Sequence, residues 1–475
     1  MNEQWQNSRA IIERVIVRGT LVLTTPAQIG NGDAAGLTDV PLLRDPLANK
    51  PLLTGTAIAG ALRNYLRERE RGYRKPENQD GATRAEKLFG HLVRHTATIA
   101  SWLIVEDALG EQSGVELRDG VALDPKSRTA RDKTKFDHTL FAAGTTFELE
   151  FELLLTAKNA DLLESFVLAL GGFEQGEISL GSRKRRGLGA CRVNAWRVWR
   201  YKMTTPQGRL GWLAHDPQVG GQTASKLSEI FGDIAPQLDA RNAMTMRVTC
   251  ALDAPMLIRA GADETTTADL QHLHSARNGK SVPILSGTSI AGAIRARAFR
   301  ITNTLLDSTR AQNLVDGLFG KQIARHNDKP TGSRVIVREV EIANALTPER
   351  IQSRVKIDRF TGGAYPGALF SEQPALGAAT TRVTLDLAVQ NPQPAEIGLF
   401  LLLLKDIWSG DLTFGGERGV GRGSLAGESA ILQYAGVTWT LTRAGDAIKT
   451  ERDPASTTNG YVELESYVNV LKEAR

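Results

Sequence analysis

Two stretches of the chain have the residue pattern of β-strands. Met244–Leu252 alternates apolar and other residues with a period of two, and Ile11–Leu23 is rich in β-branched residues flanked by charge. A period of two indicates a strand with one buried face. Further strand-like runs lie at Trp102–Val105, Phe147–Leu155, Arg334–Val337 and Arg382–Val389.

Helical spacing of apolar residues appears between these strands. Each of two helices is predicted to open at a Gly-Thr pair, with Thr56 or Thr288 as its N-cap. A second apolar helix is predicted at Ala160–Leu170 and again at Ala395–Trp408. The resulting order, strand–helix–strand–strand–helix–strand, predicts an α+β fold of ferredoxin-like type, an antiparallel sheet with its helices on one face.

The chain contains a long internal repeat. PLLTGTAIAGALR (Pro51–Arg63) recurs as PILSGTSIAGAIR (Pro283–Arg295). The LFG of Leu88–Gly90 recurs at Leu318–Gly320, and the RGLG that begins at Arg186 recurs as the RGVG that begins at Arg418. Three motifs in one order at nearly one offset indicate a duplicated globular domain, because solenoid repeats are far shorter.

These offsets predict the domain organisation. The first domain covers residues 1–202 with an insertion near 118–142, and the second covers 243–435 with an insertion near 352–370. Both insertions mix charges with Gly or Pro and are predicted to be exposed β-ribbons. Residues 203–242 are predicted to be a linker with one short helix, and 436–475 a C-terminal extension.

Composition narrows the functional class only slightly. The net charge of +5 and the pI near 9.1 permit a polyanionic partner without requiring one. The two cysteines, Cys191 and Cys250, lie in apolar-alternating runs and are expected to be buried free thiols. The longest apolar run, Ile397–Leu404, is about half of what a membrane span needs, so a cytoplasmic protein without a membrane partner is expected.

The two Gly-Thr helix starts are candidate phosphate-binding elements. A helix N-terminus presents free N–H groups and a partial positive charge. Arg63 and Arg295 follow about two turns later on the same face, and Gly60 and Gly292 allow tight packing or ligand approach. A capped helix with packing glycines is the alternative. The candidate RNA contacts here are Gly55, Thr56, Arg63, Gly287, Thr288, Ser289 and Arg295.

Two glycine-rich basic loops are the second candidate. GSRKRRGLG begins at Gly181, and FGGERGVGRG begins at Phe414. Arginines there supply bidentate phosphate contacts, and glycines expose backbone N–H groups. A tight loop with a solvated charge run is the alternative. The candidate contacts are Arg183, Lys184, Arg185, Arg186, Gly187, Gly189, Arg418, Gly419, Gly421 and Arg422.

Acidic residues in the loops before each Gly-Thr helix are the third candidate. The first loop contains Asp33, Asp39 and Asp45, and the second contains Asp263 and Asp269. Carboxylates beside a phosphate-binding surface bind Mg²⁺ and activate attack on RNA, but Asp is also an ordinary turn residue. The second loop adds His272 and His274, and the His91/His95 pair after LFG lacks a third zinc ligand.

Taken together, the strand, the Gly/Asp loop, the P-x-x-x-GT-x-x-AG-x-x-R helix, the LFG and the basic glycine loop resemble the RAMP superfamily of CRISPR systems. The pattern Asp39-x-Pro41-x-x-x-Asp45 resembles the backbone subunits of type III effectors. Two fused copies resemble the double backbone subunit of type III-D systems.

This resemblance implies a modified RNA-recognition fold whose insertions form β-hairpin thumbs. It implies a prokaryotic protein with guide CRISPR RNA, single-stranded target RNA and other type III effector subunits as partners. It also implies target cleavage with Mg²⁺ or Mn²⁺, with Asp39 and Asp269 as catalytic residues and possible metal ligands. Asp269 fits the repeat as the counterpart of Asp39, but it is followed by Leu-Gln rather than Val-Pro.

Two other functions fit the same residues. One is an RNA scaffold that leaves cutting to other subunits. The other is a guide-RNA-processing ribonuclease of the same superfamily, commonly histidine-based and metal-independent, for which His272 and His274 are the candidates.

Overall fold

The computed structural model describes residues 10–31, 41–77, 83–91, 100–124, 129–232, 239–260, 268–321, 331–346, 351–445, 447–455 and 459–473. Contacts divide the chain into two compact units. The first unit comprises Met1–Glu116, Thr139–Ser182 and Gly189–Arg241. The second unit comprises Leu117–His138, Arg183–Leu188 and Asn242–Arg475.

The first repeat forms the predicted order of strands and helices. Its strands are β1 (Ile11–Leu23), β2 (Leu52–Leu53), β3 (Leu103–Val105), β4 (Ala108–Glu111), β5 (Val115–Leu123), β6 (Ala130–Phe141), β7 (Thr146–Thr156) and β8 (Cys191–Lys202). Its helices are α1 (Gly55–Arg71), α2 (Arg84–Phe89) and α3 (Leu162–Glu174). The sheet order β4-β7-β1-β8, with β3 also pairing with β7, is that of a ferredoxin-like sheet.

Alternation along β1 explains which sheet face is buried. Val15, Val17, Leu21 and Leu23 are buried on one face, whereas the residues between them are mostly partly exposed on the other. The helix α1 covers the buried face with Ile58, Leu62, Tyr65 and Leu66, which recur at helical spacing.

The predicted linker is wrong for the described part of residues 203–242. This segment forms α4 (Pro206–Leu213), β9 (Gln222–Ala224) and α5 (Ser228–Phe231), and β9 extends the first sheet by pairing with β8. Leu227 is fully buried in the first core. The high Gly, Pro and Asp content therefore reflects turns between short packed elements rather than a free connection.

The second repeat follows the same scheme. Its strands are β10 (Ala243–Leu252), β11 (Arg259–Ala260), β12 (Leu270–His272), β13 (His274–Arg277), β14 (Lys280–Leu285), β15 (Val335–Val337), β16 (Val340–Ala343), β17 (Gln352–Ile357), β18 (Ala364–Gln373), β19 (Arg382–Gln390) and β20 (Leu425–Tyr434). Its helices are α6 (Gly287–Leu305), α7 (Ser308–Phe319) and α8 (Pro394–Trp408). The sheet order β16-β19-β10-β20 repeats that of the first sheet.

The C-terminal extension belongs to the second core. β21 (Val437–Ala444) and β22 (Ala447–Asp453) continue the second sheet, and α9 (Gly460–Glu473) packs on α8. Gly398 of α8 permits this close crossing, since an added Cβ there would lie 2.2 Å from the carbonyl oxygen of Tyr467. Trp439 is 1% exposed within this core.

The helix caps lie two residues earlier than predicted. Thr54 and Ser286 are the N-caps of α1 and α6, and each accepts a hydrogen bond from the backbone N–H three residues later, at 3.3 Å in both cases. The chain leaves a strand at these residues, so the glycine that follows is already helical. Thr56 and Thr288 lie exposed in the first helical turn.

Both insertions form antiparallel hairpins, β5–β6 and β17–β18. The second hairpin also pairs with β12, in a four-stranded sheet of order β11-β12-β18-β17. Among the described residues, no helix is long and apolar enough to cross a membrane.

Candidate RNA-binding surface and candidate cleavage site

The first basic loop is a tight 3-10 turn, Lys184–Arg186. Arg183 before it and Gly187 after it have left-handed backbone conformations, with φ of 53° and 83°. The guanidinium of Arg183 lies 4.6 Å from the ring centroid of Phe136. Stacking of this kind holds the cation in place without neutralising it.

An uncompensated cluster of arginines forms at this loop in the second unit. Burial lowers the pKa of Arg183 and of Arg186, and the neighbouring cations Arg186 and Arg295, respectively, lower them further. Within the described part of the chain, neither Arg183 nor Arg186 pairs with a carboxylate. Arg183 is partly buried and Arg186 is exposed. Guanidinium groups that repel one another favour an anionic ligand.

Close backbone packing fixes the loop at the start of α6. A Cβ added to Gly287 would lie 2.1 Å from the carbonyl oxygen of Arg186, and one added to Gly187 would lie 2.3 Å from the amide nitrogen of Glu339. Glu339 is buried and receives the guanidinium groups of Arg118 and Arg277. Gly187 and Gly287 therefore serve close approach within the protein itself.

The glycines in the second turn of each helix face open space. A Cβ added to Gly60 of α1 or to Gly292 of α6 would meet no atom within 4 Å. Of the two sequence-based explanations, tight packing is thus wrong within the described structure, and open access remains. Glycine inside a helix destabilises it by about 1 kcal/mol relative to alanine, and both repeats retain it.

The motif arginines of α1 and α6 are paired with carboxylates. Arg63 donates to both carboxylate oxygens of Glu77, at 2.8 and 2.6 Å, and Arg295 donates to Asp316 at 3.0 Å. The hydrogen bonds from Arg63 to Glu77 raise the pKa of Arg63. In this structure the two arginines tie each helix to its own unit, and an RNA phosphate would compete with these carboxylates.

The second glycine loop is offset by two residues from its sequence match. Gly187 corresponds structurally to Gly421, because both follow a 3-10 turn and have φ near +80°. Likewise Leu180 N–H donates to Gly189 O at 2.8 Å, and Phe414 N–H donates to Gly423 O at 2.9 Å. The residues that correspond to the RKRR of the first loop are therefore Glu417, Arg418, Gly419 and Val420.

Because Glu417, Arg418, Gly419 and Val420 occupy the positions of the RKRR segment, the second loop is far less basic than the first. Arg418 is exposed and Gly419 and Gly421 face open space, so these three remain available for contacts. Arg422, predicted to contact RNA, is only 3% exposed, and its guanidinium is paired with Glu372 at 2.7 Å and Glu417 at 2.8 Å. The prediction for Arg422 is therefore wrong for this structure, in which it holds the loop from inside.

Gly189 also has an internal role. Its φ is 72°, and a Cβ there would lie 1.8 Å from the carbonyl oxygen of Leu180. Only glycine fits at this position, and Gly423 has the same role in the second loop. Gly189 thus has a role in closing the loop, and its contact with RNA stays a prediction.

The open face of the first sheet is neutralised by ion pairs. Arg14 binds Glu152 at 2.7 Å, Arg18 binds Glu150, and Thr20 donates to Glu148 at 2.9 Å. Arg14 also lies over the ring of Trp212, 4.1 Å from its centroid. The described charges of this sheet face are therefore paired within the first unit.

Of the candidate aspartates in the loops before α1 and α6, only Asp45 and Asp269 lie among the described residues. Asp33, Asp39 and Asp263 lie outside the described residues. Asp45 caps its own turn, since its carboxylate accepts the N–H groups of Leu47 and Ala48 at 3.1 and 2.6 Å. Asp45 therefore has the structural role of a turn residue.

Asp269 lies exposed directly before β12 and is held by Ser371 of β18. Its Oδ2 accepts the backbone N–H and the hydroxyl of Ser371, both at 2.8 Å, and its own N–H donates to the Ser371 hydroxyl at 2.9 Å. The backbone and hydroxyl donors of Ser371 lower the pKa of Asp269. The carboxylate is therefore ionised and oriented.

The histidine candidates are structural. His272 is 1% exposed, and its ring nitrogens lie 3.0 and 2.9 Å from the carbonyl oxygens of Met256 and Ile284. Burial lowers the pKa of His272 to about 4. His274 is bonded to the carbonyl of His272. His91 is buried, and His95 lies outside the described residues.

The described residues fit a divalent cation only if the RNA phosphates supply the remaining ligands. They contain no group of three or more His, Cys, Asp or Glu placed to bind a metal. Mg²⁺, however, often takes one or two protein carboxylates together with substrate phosphates. Asp269 is an exposed carboxylate of this kind, with one oxygen engaged by Ser371.

Sequence inspection missed Phe136, Ser371, Glu372 and Glu417. Ser371 lies 102 residues from Asp269, and no local pattern links them. The role of Glu417 could have been suspected from the sequence, because its carboxylate interrupts a basic, glycine-rich loop.

Two sheets of one topology, each crossed by helices on one face, define a tandem ferredoxin-like protein, the fold that RNA-recognition motifs use. The sequence model of the RAMP superfamily matches residues 20–192 and 249–426, about three quarters of the chain. The chain belongs to this superfamily and carries two of its domains.

One curated relative shares a shorter segment. The chain is 40% identical over 85 residues to the CRISPR system Cms endoribonuclease Csm3 of Mycobacterium tuberculosis (strain ATCC 25618 / H37Rv). The matched segment covers 16% of this chain and 35% of that protein. The chain thus matches about a third of the relative's length.

Proposed function

We propose that the chain is a guide-RNA-binding backbone subunit of a type III CRISPR effector complex. In this role it holds the guide CRISPR RNA, accepts complementary single-stranded target RNA and assembles with other effector subunits. The observation that carries the proposal is the arginine cluster of Arg183 and Arg186, which lack carboxylate partners in the described structure, with Arg295 of α6 as their cationic neighbour. The superfamily membership and the name of the relative support it.

The cluster has the chemistry of a phosphate site. Two arginines without carboxylate partners in the described structure belong to a loop whose backbone packs against the first residue of a 19-residue helix. A phosphate relieves their mutual repulsion and accepts bidentate hydrogen bonds. We assign the main RNA contact of this chain to the first loop, and the second loop contributes Arg418 with the open glycines Gly419 and Gly421.

Removing two of these arginines tests RNA binding. For Arg183→Gln with Arg186→Gln, we expect the slope of log affinity against log salt to flatten by about 1.4, since each lost phosphate contact on a single strand contributes about 0.7. Fluorescence anisotropy with labelled single-stranded RNA across a salt series measures it. Arg192→Gln with Lys202→Gln removes the same charge from exposed positions of β8 and serves as the control. An unchanged slope in the first variant refutes the phosphate site.

The open helix glycines give an independent test. Gly60→Ala with Gly292→Ala should raise the free energy of unfolding by about 0.5–1 kcal/mol per site, because alanine is the better helix residue and its methyl group meets nothing. If RNA passes over these turns, we expect its affinity to fall about tenfold, or ~1.4 kcal/mol. Thermal melts and anisotropy measure the two effects.

The chain offers a matched control for this pair. Gly171 lies within α3 and also has no atom within 4 Å of an added Cβ. Gly171→Ala should stabilise the protein and leave RNA affinity unchanged. If the unmodified protein, the Gly60→Ala/Gly292→Ala variant and the Gly171→Ala variant bind RNA with equal affinity, the RNA does not pass over α1 and α6.

We further propose that the subunit cuts target RNA with Mg²⁺ or Mn²⁺, using Asp39 and Asp269. When bound, the cation polarises the scissile phosphate and neutralises charge that develops on it. Asp269 would hold the cation with its carboxylate, while the arginine cluster holds the RNA backbone. A non-catalytic scaffold is the second candidate, favoured by the absence of a three-ligand cluster among the described residues.

Guide processing by histidine is the weakest candidate. A general base must reach its substrate, and His272 is buried and bonded on both ring nitrogens. With a pKa of about 4 it is neutral at physiological pH but lacks an accessible nitrogen.

A further inference from the structure

We infer that Ser371 is a positioning residue for Asp269, and that it fixes this carboxylate so that one oxygen remains directed at a divalent cation. The inference rests on the proposed cleavage by Asp269 and identifies what orients its side chain. Its basis is a reciprocal set of three hydrogen bonds between exposed Asp269, just before β12, and partly buried Ser371 on β18.

The hydrogen bonds from Ser371 distinguish the two carboxylate oxygens of Asp269. Both donors of Ser371 converge on Oδ2 of Asp269, at 2.8 Å each. The Ser371 hydroxyl donates to Oδ2 and accepts the Asp269 N–H, so its single proton is fully used. Because Oδ2 is occupied twice, Oδ1 is the oxygen left for an external ligand.

The strand beneath this clamp is itself fixed by buried charge. Leu270, next to Asp269, pairs in parallel register with Glu372, next to Ser371. Glu372 is 0% exposed and binds Arg422 of the second loop at 2.7 Å and Arg354 of β17 at 3.1 Å. Breaking such a pair leaves an uncompensated buried charge. The clamp therefore stands on a rigid base that joins β17, β18 and the second glycine loop.

The first repeat has no equivalent clamp donor at the described position. The isolated bridges Ala27–Phe141 and Met256–Ala375 align the ends of the two hairpins, and this register places Asp137 where the second repeat has Ser371. A carboxylate cannot donate a hydrogen bond to an aspartate and repels it instead. Ser371 is thus a feature of the second repeat alone, and its role concerns Asp269 rather than Asp39.

The expected size of the effect follows from how orienting residues act. Removing a hydrogen-bond partner of a metal-binding carboxylate typically lowers metal affinity or activity by about 10- to 100-fold. In the assembled complex with guide and target RNA, we expect Ser371→Ala to slow the Asp269-dependent cut by about 10- to 100-fold. Other cuts should be unaffected, because the residue that Ser371 holds is Asp269.

Direct metal binding provides a readout besides activity. The same complex, with cleavage blocked by a non-hydrolysable target, is titrated with Mn²⁺ and followed by electron paramagnetic resonance. Ser371→Ala should lose or weaken one Mn²⁺ site by about tenfold or more. Ser371→Thr keeps the hydroxyl and the backbone donor, so it should restore both the cut and the site to within about threefold, a difference of ~0.7 kcal/mol.

Ser353 supplies the matched control. It lies directly opposite Ser371 in the β17–β18 pairing and is exposed. Ser353→Ala makes the same chemical change on the neighbouring strand and should alter neither readout. Melting temperatures of all variants report whether the hairpin still folds.

The outcomes separate this inference from the proposed function. If Asp269→Asn abolishes a cut that Ser371→Ala leaves at full rate with full Mn²⁺ binding, the positioning role is wrong and the proposed function stands. If Asp269→Asn leaves every cut intact, cleavage by Asp269 is wrong and the positioning role with it. In that case equal losses in melting temperature for both variants would identify the clamp as a structural bond only.

Discussion

Cleavage of target RNA should fall by about 10²–10⁴-fold at the Asp39- and Asp269-dependent sites when both aspartates are replaced by alanine. The physical reason is that the proposed cation loses the protein carboxylates that hold it against the scissile phosphate. Gel analysis of end-labelled target RNA, with the variant assembled into the complex, measures each cut separately. Affinity for the target should be unchanged, because we assign RNA binding to the arginine cluster and not to the aspartates.

Single variants and one control complete this experiment. Asp39→Ala and Asp269→Ala should each remove a distinct cut. Asp45 follows Asp39 in the same predicted loop, and its carboxylate caps a turn. The Asp45→Asn variant should therefore leave all cuts in place. Survival of every cut in the double variant would instead assign this chain the scaffold function, with cutting performed by other subunits.

Replacing Arg422 by alanine should lower the free energy of unfolding of the second unit by about 3 kcal/mol. The change leaves Glu372, which is 0% exposed, without its 2.7 Å partner in the interior. Burial already raises the pKa of Glu372, and its hydrogen bond with Glu417 raises it further. Arg354 remains 3.1 Å away and compensates in part, so the loss should stay at the lower end for a broken buried pair.

Urea unfolding and hydrogen exchange of the β20 amides measure this loss. Arg443→Ala removes an exposed arginine from the neighbouring strand β21 and should change stability by less than about 0.5 kcal/mol. Adding Glu372→Gln to Arg422→Ala should recover part of the stability, because the buried charge is then gone. A loss below about 1 kcal/mol in the single variant would contradict a tight buried pair.

The structure changes the balance between the two repeats. Judged by sequence, the second loop offered arginines in the same frame as the first, and the second histidine pair offered a base. In the structure Arg422 and His272 are both buried, and Val420 occupies the position equivalent to Arg186. The arginines proposed to bind phosphate therefore lie mainly in the first loop, and an oriented carboxylate is described in the second repeat.

Much of the fold followed from local pattern. Alternation in Ile11–Leu23 and Met244–Leu252 fixes which face each strand buries, and a one-residue slip would expose the whole apolar set. The repeated helix motif then places the same elements in the same order twice. The ferredoxin-like arrangement was confirmed for both repeats because these short-range signals agree with one another.

Predictions from local sequence pattern were wrong where the position of an element depends on backbone geometry and tertiary contacts. The N-caps at Thr54 and Ser286 depend on where the preceding strand ends, which the Gly-Thr pair does not reveal. Residues 203–232 looked like a linker because turn residues dominate their composition, yet β9 pairs with β8 in the sheet. Short elements depend on tertiary contacts for their stability, so composition alone does not identify them.

The sequence by itself determined the duplication, the α+β topology and the set of residue types available to bind RNA. It did so because periodicity and repetition are properties of neighbouring positions along the chain. Only the tertiary structure decided which arginines remain uncompensated and which aspartate is oriented. Those properties depend on residues far apart in sequence, such as Arg183 beside Phe136 and Asp269 beside Ser371, whose approach is set by packing.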